Sequence, residues 1–336
     1  MERFVAQVFT EEIMYEALQH FALEKEYKKL GDFENYVFEV TRGGSPYILR
    51  LTHSSHRTKE ELLAEIDWMN YLHLNQVLVP KAYESIRGEL VVQLKAIDET
   101  NFFASLFSKV PGEHVRANHE KYDHALFYKW GQTIGKMHKV TKSYVESENL
   151  VKRPSWDEED IHFVDKYVPS EEQIIIQNAN ELLQEIQKLE QNMDNYGLIH
   201  TDIHSGNFFF DGENIHVFDF DDCCYHWFCS DIAIPLYYSV LYGFPQGDKE
   251  VRHAFANTFF DAFLSGYKSE NVLPRGWQNQ VPLFLRLRDV ALYSVLHKKI
   301  APEDRTEKLI AQMNEIKARI EKNEPIVEIN QLTLSV

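Results

Sequence analysis

Cysteine is scarce in this chain, with three residues in 336, and all three fall close together as Cys223, Cys224 and Cys229. No second C-x-x-C and no clustered histidine pair completes four ligands, so a zinc site is not expected and the thiols read as buried and reduced. Basic residues are in deficit, 35 Lys and Arg against 52 Asp and Glu, for a formal charge of −17. Binding a nucleic acid requires basic stripes that this sequence lacks, so no nucleic-acid partner is expected. The acidic balance allows a cationic substrate, but solubility alone accounts for it. Long apolar runs are also missing, and MERFVAQVFTEE has neither the basic start nor the long apolar core of a signal peptide. No membrane partner and a cytoplasmic location are therefore expected. Internal repeats and low-complexity linkers are absent, and nothing sets the oligomeric state.

What is present is enough for a large core. Apolar residues make up 44% and aromatics 13% of the chain, and its length suggests two domains or lobes. The most informative stretch is 198–234. His200, Asp202 and Asn207 form an H-x-D-x-x-x-x-N pattern, followed by the apolar run Phe208-Phe209-Phe210, turn residues Asp211-Gly212-Glu213-Asn214, a second run Ile215 to Phe218, and Asp219. A hairpin over these runs would set the Asn207 amide oxygen beside the Asp219 carboxylate, two hard ligands suited to Mg²⁺ carrying nucleotide phosphates. Asp202, in the loop just before, is placed to orient or deprotonate an attacking hydroxyl. A single Asp in such a loop is often just a turn residue, but the whole ordered constellation is hard to obtain by accident. It has the spacing of a kinase catalytic loop, which points to an ATP- and Mg-dependent phosphotransferase.

IHTDIHSGN, followed by FDFDD and then SDIA, resembles the aminoglycoside phosphotransferase and choline kinase superfamily, in the bacterial branch with type II homoserine kinases and stress-response kinase relatives. The family pattern maps onto His200, Asp202, His204, Asn207, Asp219 and Phe220, and departs at Thr201, where glycine is usual. The resemblance implies an α+β, protein-kinase-like two-lobed fold: a small antiparallel-sheet N-lobe over 1–107 and a mainly helical C-lobe over 108–336. It implies ATP and Mg as cofactors, Asp202, His200 and His204 as catalytic residues, and Asn207 and Asp219 as metal ligands. Arg50 stands where kinases place the phosphate-holding lysine, and a planar, permanently charged guanidinium can do that work. The resemblance makes Glu65 its partner and marks the Glu34-Asn35 run as part of a phosphate-covering loop. It also reads 108–112 as a hinge, with backbone near Ser105 to Phe107 meeting adenine. Asp221 and Asp222 are open to two readings, metal binding through water or salt links. Asp231 is explained by capping the helix that starts at Ile232, and in the family it also braces the catalytic loop.

Elsewhere the periodicity is helical. Thr10 is expected to cap a helix over Glu11 to Leu23, Thr58-x-x-Glu61 to form a capping box, and Ser170 to open another capped helix. Residues 158–167 read as irregular, and the last ten as frayed. His138 reads as a packed or capping histidine. The final third looks like a helical substrate subdomain in which Arg286, Arg288 and His297 are candidate substrate contacts, although a solvated helix face is the readier explanation for each. The expected function is transfer of the ATP γ-phosphate to a hydroxyl of a small metabolite or drug: an amino alcohol such as homoserine or choline, a methylthio-sugar, or an aminoglycoside. Two alternatives stand beside it. A protein Ser/Thr kinase is disfavoured because no A-P-E end follows Asp219. A retired, kinase-like binding protein is disfavoured because every expected catalytic side chain except the lysine is present.

Overall fold

The computed structural model describes residues 2–158, 163–244 and 249–329. Of the stretch 158–167 expected to be irregular, residues 159–162 lie outside the described residues, while Val164–Tyr167 forms a short helix instead, and the fraying expected of the last ten residues falls largely outside the described residues. The chain divides into two compact units. The first comprises Met1–Gly112, Tyr144–Arg153 and Asp211–Asp221; the second comprises Glu113–Ser143, Pro154–Phe210 and Asp222–Val336. A single cut after residue 107 leaves out the two later segments of the first unit.

The first unit is built on an antiparallel sheet. Its strands are β1 (Tyr27–Gly31), β2 (Tyr36–Arg42), β3 (Ser45–His53), β4 (Ala82–Tyr83), β5 (Val92–Lys95) and β6 (Asn101–Ser108). The order is β1-β2-β3-β6-β4, with β5 sharing the same edge of β6. Alternation on β2 turns Tyr36, Phe38 and Val40 inward, onto α1 (Arg3–Val8) and α2 (Glu11–His20) through Val5, Ile13, Met14 and Leu18. Thr10 flanks α2 but makes no side-chain cap bond, and the helix stops at His20 rather than Leu23. The expected capping box is present: the Thr58 hydroxyl accepts from the Glu61 amide, the Glu61 carboxylate accepts from the Thr58 amide, and α3 (Lys59–Leu74) follows. Its buried face carries Leu62, Ile66, Met69 and Leu72, and also the carboxylate of Glu65.

Side-chain bonds bring the two later segments into this unit. Tyr144 and Ser147 donate to Asp67 of α3 at 2.7 and 2.5 Å. Strand β9 (Ile215–Val217) donates from the Val217 amide to the Leu78 carbonyl, and Phe220 packs edge-on against Trp68.

The second unit is mainly helical. It contains α4 (His124–Thr141), α5 (Val164–Tyr167), α6 (Gln173–Gln187), α7 (Phe228–Gly243), α8 (Lys249–Lys268), α9 (Trp277–Lys299) and α10 (Glu307–Lys322). Two glycines let α4 and α8 touch backbone to backbone: a Cβ on Gly131 would lie 1.8 Å from the Phe263 carbonyl oxygen, and one on Gly266 would lie 1.9 Å from that of Tyr128. Helix α6 begins at Gln173 without a side-chain cap, so Ser170 does not open it; Glu172 instead accepts from Tyr293 and Lys317. Strands β7 (Tyr196–Ile199) and β10 (Cys224–Trp227) pair antiparallel, with Ile199 opposite Cys224. This ladder fixes the chain at the point where it enters the His200–Asn207 loop, and strand β8 (Phe208–Phe210) follows that loop. All three cysteines are buried, as expected, and burial pushes the Cys229 thiol well above its ordinary range. Among the described residues, no helix is long and apolar enough to cross a membrane.

Candidate functional site

In the first unit the functional side chains gather around Arg50. Strand β3 presents it between Val37 of β2 and Ser105 of β6, and its Nη1 and Nη2 donate to Oε1 and Oε2 of Glu65, each at 2.7 Å. Both side chains are buried, the arginine at 7% exposure and the glutamate at 1%. Burial works against the arginine's charge, yet Glu65, with smaller help from Asp221 and Asp219, holds its pKa above the ordinary range. The guanidinium lies 5.1 Å from the centre of the Phe107 ring. Three polar atoms here are buried with no hydrogen-bond partner among the described residues: Arg50 Nε, Ser105 Oγ and Asn35 Oδ1. Buried polar atoms are normally paired, and Arg50 Nε and Ser105 Oγ could donate to a ligand such as a nucleotide phosphate, whereas Asn35 Oδ1 can only accept. Ser105 and Phe107 themselves lie inside β6, where β3 runs along one edge and β4 meets Leu106 and Phe107 on the other. The peptide groups of Leu106 and Phe107 are thus flanked by strands on both sides.

Asp219 follows β9 with φ +67, a left-handed turn that an Asp tolerates better than most residues, and Phe220 anchors that turn on α3. Two residues on, Asp221 forms the salt links that one of its two readings expects. Its carboxylate accepts from His56 at 2.5 Å, Asn35 at 3.3 Å and Arg57 at 3.4 Å, while its carbonyl accepts from Arg57 at 3.0 Å and Arg153 at 2.6 Å. Burial pushes the Asp221 pKa up, but His56, Arg57 and Arg50 outweigh it and hold the group far below the usual carboxylate range. Glu34, His56 and Asp221 bring ligand atoms within 4.8 Å of one another. With Arg57 bonded to the same carboxylate, the arrangement is an ion-pair network that ties Asn35 to the turn carrying Asp219.

In the second unit the centre is Asp202. Its Oδ1 accepts from Arg288 Nη2 at 2.5 Å, and its Oδ2 accepts from Asn207 Nδ2 at 3.0 Å, with His204 Nε2 at 3.4 Å. Asn207 Nδ2 also donates to the Asp202 carbonyl at 2.9 Å, which fixes the amide and leaves its oxygen, the atom that suits Mg²⁺, without a partner among the described residues. Burial alone raises the Asp202 pKa; Arg288, followed by His204 and His200, reverses that and holds it below the ordinary value. His204 Nδ1 accepts from the Gly206 amide at 2.8 Å, so its Nε2 carries the proton that faces Asp202. His200 is fully buried, and its Nδ1 accepts from the Asp202 amide. It therefore shapes the loop from beneath.

Asp231 also acts from beneath. Helix α7 begins at Phe228, so Asp231 is not its cap, contrary to the simplest expectation. Its carboxylate accepts from the amides of His200 at 3.2 Å and Thr201 at 2.8 Å. His138 stands beside it at 3.3 Å and meets the Tyr267 hydroxyl at 2.9 Å; burial lowers its pKa despite Asp231. At the position where the family pattern has glycine, Thr201 takes φ +67, and its hydroxyl donates to the Asp222 carbonyl. The glycine preference is thus a matter of backbone angle, and here a threonine satisfies it with added hydrogen bonds.

Sequence reading missed His56, Arg57 and Arg153 as partners of Asp221, because nothing in local spacing links positions so far apart. Arg288 stood out only as one cation among several. Arg286 pairs instead with Asn323 and Glu185, and His297 with Arg305. Tyr238, which holds Arg288, gave no signal beyond an aromatic-rich helix.

Comparison with known proteins agrees with this geometry. Residues 27–275 match the phosphotransferase enzyme family. The amicoumacin kinase of Bacillus subtilis (strain 168) is 36% identical over 296 residues, 88% of this chain and 87% of that protein. The solved structure of amicoumacin kinase hAmiN in complex with AMP-PNP, Ca2+ and Ami superposes with a TM-score of 0.92 at 34% identity, covering 99% of this chain and 100% of that one. A microcompartment-associated aminopropanol kinase shares the fold, with a TM-score of 0.75 at 21% identity over 94% of this chain and 98% of its own. A kinase-like α+β fold and a match over most of its length make this chain a member of the phosphotransferase enzyme family, an enzyme of the kinase type.

Proposed function

We propose that this protein transfers the γ-phosphoryl group of MgATP to a hydroxyl of a small molecule, and that an amicoumacin-type compound is the acceptor to try first. The observation that carries the reading is the Asp202–Asn207 pair, in which one amide nitrogen fixes the catalytic carboxylate while its oxygen remains available for a metal. Arg50, oriented by Glu65, holds nucleotide phosphates, and Asn35 covers them. Asn207 and Asp219 would hold Mg²⁺, which would neutralise phosphate charge. Adenine meets the backbone beyond Ser108, where the β6 ladder has ended. Asp202 accepts a hydrogen bond from the acceptor hydroxyl. The new O–P bond forms as the bond from the γ-phosphorus to the bridging oxygen breaks, ADP leaves with that oxygen, and the hydroxyl proton passes to Asp202 or water. Because the paired Asp202 is a weak base, its main contribution is orientation, which suits a loose phosphoryl-transfer transition state. The amicoumacin class is supported by relatives at 36% and 34% identity that span nearly the whole chain.

The test is ADP release from MgATP with amicoumacin, then with homoserine, choline and aminoglycosides, each product being checked for a phosphoryl mass increment. Stimulation by amicoumacin is expected, along with a rise in melting temperature on adding MgATP, since a ligand bound only by the folded state stabilises it. No acceptor-stimulated release and no MgATP-dependent shift would overturn the proposal in favour of a binding protein.

A further inference from the structure

Arg288 holds Asp202 without using all of its donors. A guanidinium carries five N–H groups. Nε donates to the Tyr238 hydroxyl at 2.9 Å, and Nη2 donates to that hydroxyl at 2.6 Å and to Asp202 Oδ1 at 2.5 Å. Nη1 has no partner among the described residues, and the side chain is 19% exposed, as is that of Asp202. The guanidinium also lies over the Tyr238 ring, 4.9 Å from its centre, and Tyr242, 55% exposed, stacks on Tyr238 at 5.3 Å. Helices α7 and α9 therefore fix the cation from two directions and leave one terminal nitrogen open next to the oxygen that receives the acceptor hydroxyl.

A cation held this firmly, with one terminal nitrogen to offer, suits a carboxylate or carbonyl oxygen that can accept a charge-assisted hydrogen bond. We propose that Arg288, positioned by Tyr238, is an acceptor subsite that binds a carboxylate or amide carbonyl oxygen of the acceptor, a few bonds from the hydroxyl being phosphorylated. The inference rests on the phosphotransferase reading and narrows its acceptor class: hydroxy acids and hydroxy amides fit, whereas simple amino alcohols leave Nη1 without a partner. Leaving a buried site's polar group unpaired is what makes such discrimination steep.

The experiment uses matched acceptors on the full-length enzyme: homoserine, homoserinamide and 3-amino-1-propanol, the last having the same chain without the carbonyl carbon. Values of kcat and KM are measured for wild type, Arg288→Met, Arg288→Lys and Tyr238→Phe, with MgATP affinity by calorimetry. Wild type is expected to favour homoserine or homoserinamide over 3-amino-1-propanol by about tenfold in kcat/KM. In Arg288→Met the ratio falls towards one through a higher acceptor KM, while MgATP affinity is unchanged. Arg288→Lys keeps a cation beside Asp202, which protects the fold, but its single ammonium lacks the planar fork that serves Tyr238, Asp202 and a substrate oxygen at once, so its ratio also falls. Tyr238→Phe loosens the guanidinium and gives an intermediate ratio. A wild type that binds MgATP yet treats the three alike, or accepts none of them, overturns the subsite. So does an Arg288 variant in which kcat drops equally for all acceptors with KM fixed, because Arg288 would then serve Asp202 alone. Absent MgATP binding in wild type is a separate result, which overturns the phosphotransferase reading as well.

Discussion

Each unit contains an arginine–carboxylate pair at its centre, and the two pairs differ in closure. Arg50 and Glu65 face each other through two parallel bonds with side chains 8% and 1% exposed, whereas Arg288 meets Asp202 through one nitrogen with both side chains 19% exposed. In the first pair both carboxylate oxygens are occupied by one partner, so the glutamate is committed to orienting the arginine. In the second, each carboxylate oxygen has a different donor, and capacity for a substrate hydrogen bond remains. The same chemistry thus yields a fixed support in one place and, on the proposed function, a working group in the other. What separates them is exposure and the number of oxygens a single partner takes.

The sharpest way to break this comparison is to remove the carboxylate of the open pair. Asp202→Asn keeps the size and the bond to Arg288 but turns an N–H towards Asn207 and His204, so it no longer orients the acceptor hydroxyl or takes its proton, and its kcat is expected to fall by about 10² to 10⁴. MgATP affinity by calorimetry should barely change. A mutant with full turnover, or one that loses nucleotide binding instead, would show that the working carboxylate lies elsewhere.

Breaking the closed pair should act on stability first. Glu65→Ala leaves the Arg50 cation buried without compensation, a change that typically destabilises by about 3–5 kcal/mol. Denaturant unfolding should register that loss, and a shift below about 1 kcal/mol would mean that water reaches Arg50 after all. A smaller effect is expected from the other side. Arg50→Met removes the charge but keeps a long apolar chain beside Phe107, and should weaken MgATP binding at least about tenfold, the worth of one charge-assisted contact. Unchanged affinity would leave Arg50 as a purely structural partner of Glu65.

The open pair was half legible in the sequence and the closed pair was not legible from spacing at all. Asp202 and Asn207 sit five positions apart in one loop, so a local pattern carries them, as it carries the strand and turn residues up to Asp219. Glu65 was reached through family resemblance, since its distance from Arg50 follows from how α3 lies on the sheet. Arg288 is 86 positions from Asp202, and only the packing of α7 and α9 makes them neighbours. Helix starts show the same limit. The Thr58 box is legible because both partners are local, while local spacing makes Asp231 a cap, which it is not; its hold on the amides of His200 and Thr201 agrees with the brace that the family resemblance implies, and those amides come from an earlier loop.

The smallest predicted effect concerns Thr201, which supports the open pair through its backbone. At φ +67 a β-branched residue is strained by about 1–3 kcal/mol relative to an ordinary backbone angle. Against that strain stand the Oγ1 bond to the Asp222 carbonyl and the lower chain entropy of threonine in the unfolded state. Thr201→Gly removes the strain together with both compensations, so unfolding free energy should move by no more than about 1 kcal/mol. Turnover should remain within about threefold of wild type, because glycine still donates its amide to Asp231. Thr201→Val keeps the strain and loses the hydroxyl, and should therefore be the less stable of the two by about 1 kcal/mol or more. The comparison is made by parallel denaturant unfolding of the three proteins. If valine matched threonine and glycine fell well below both, the side chain's packing rather than its angle and hydroxyl would be holding the loop, and the positive φ would have no bearing on how Asp202 is presented.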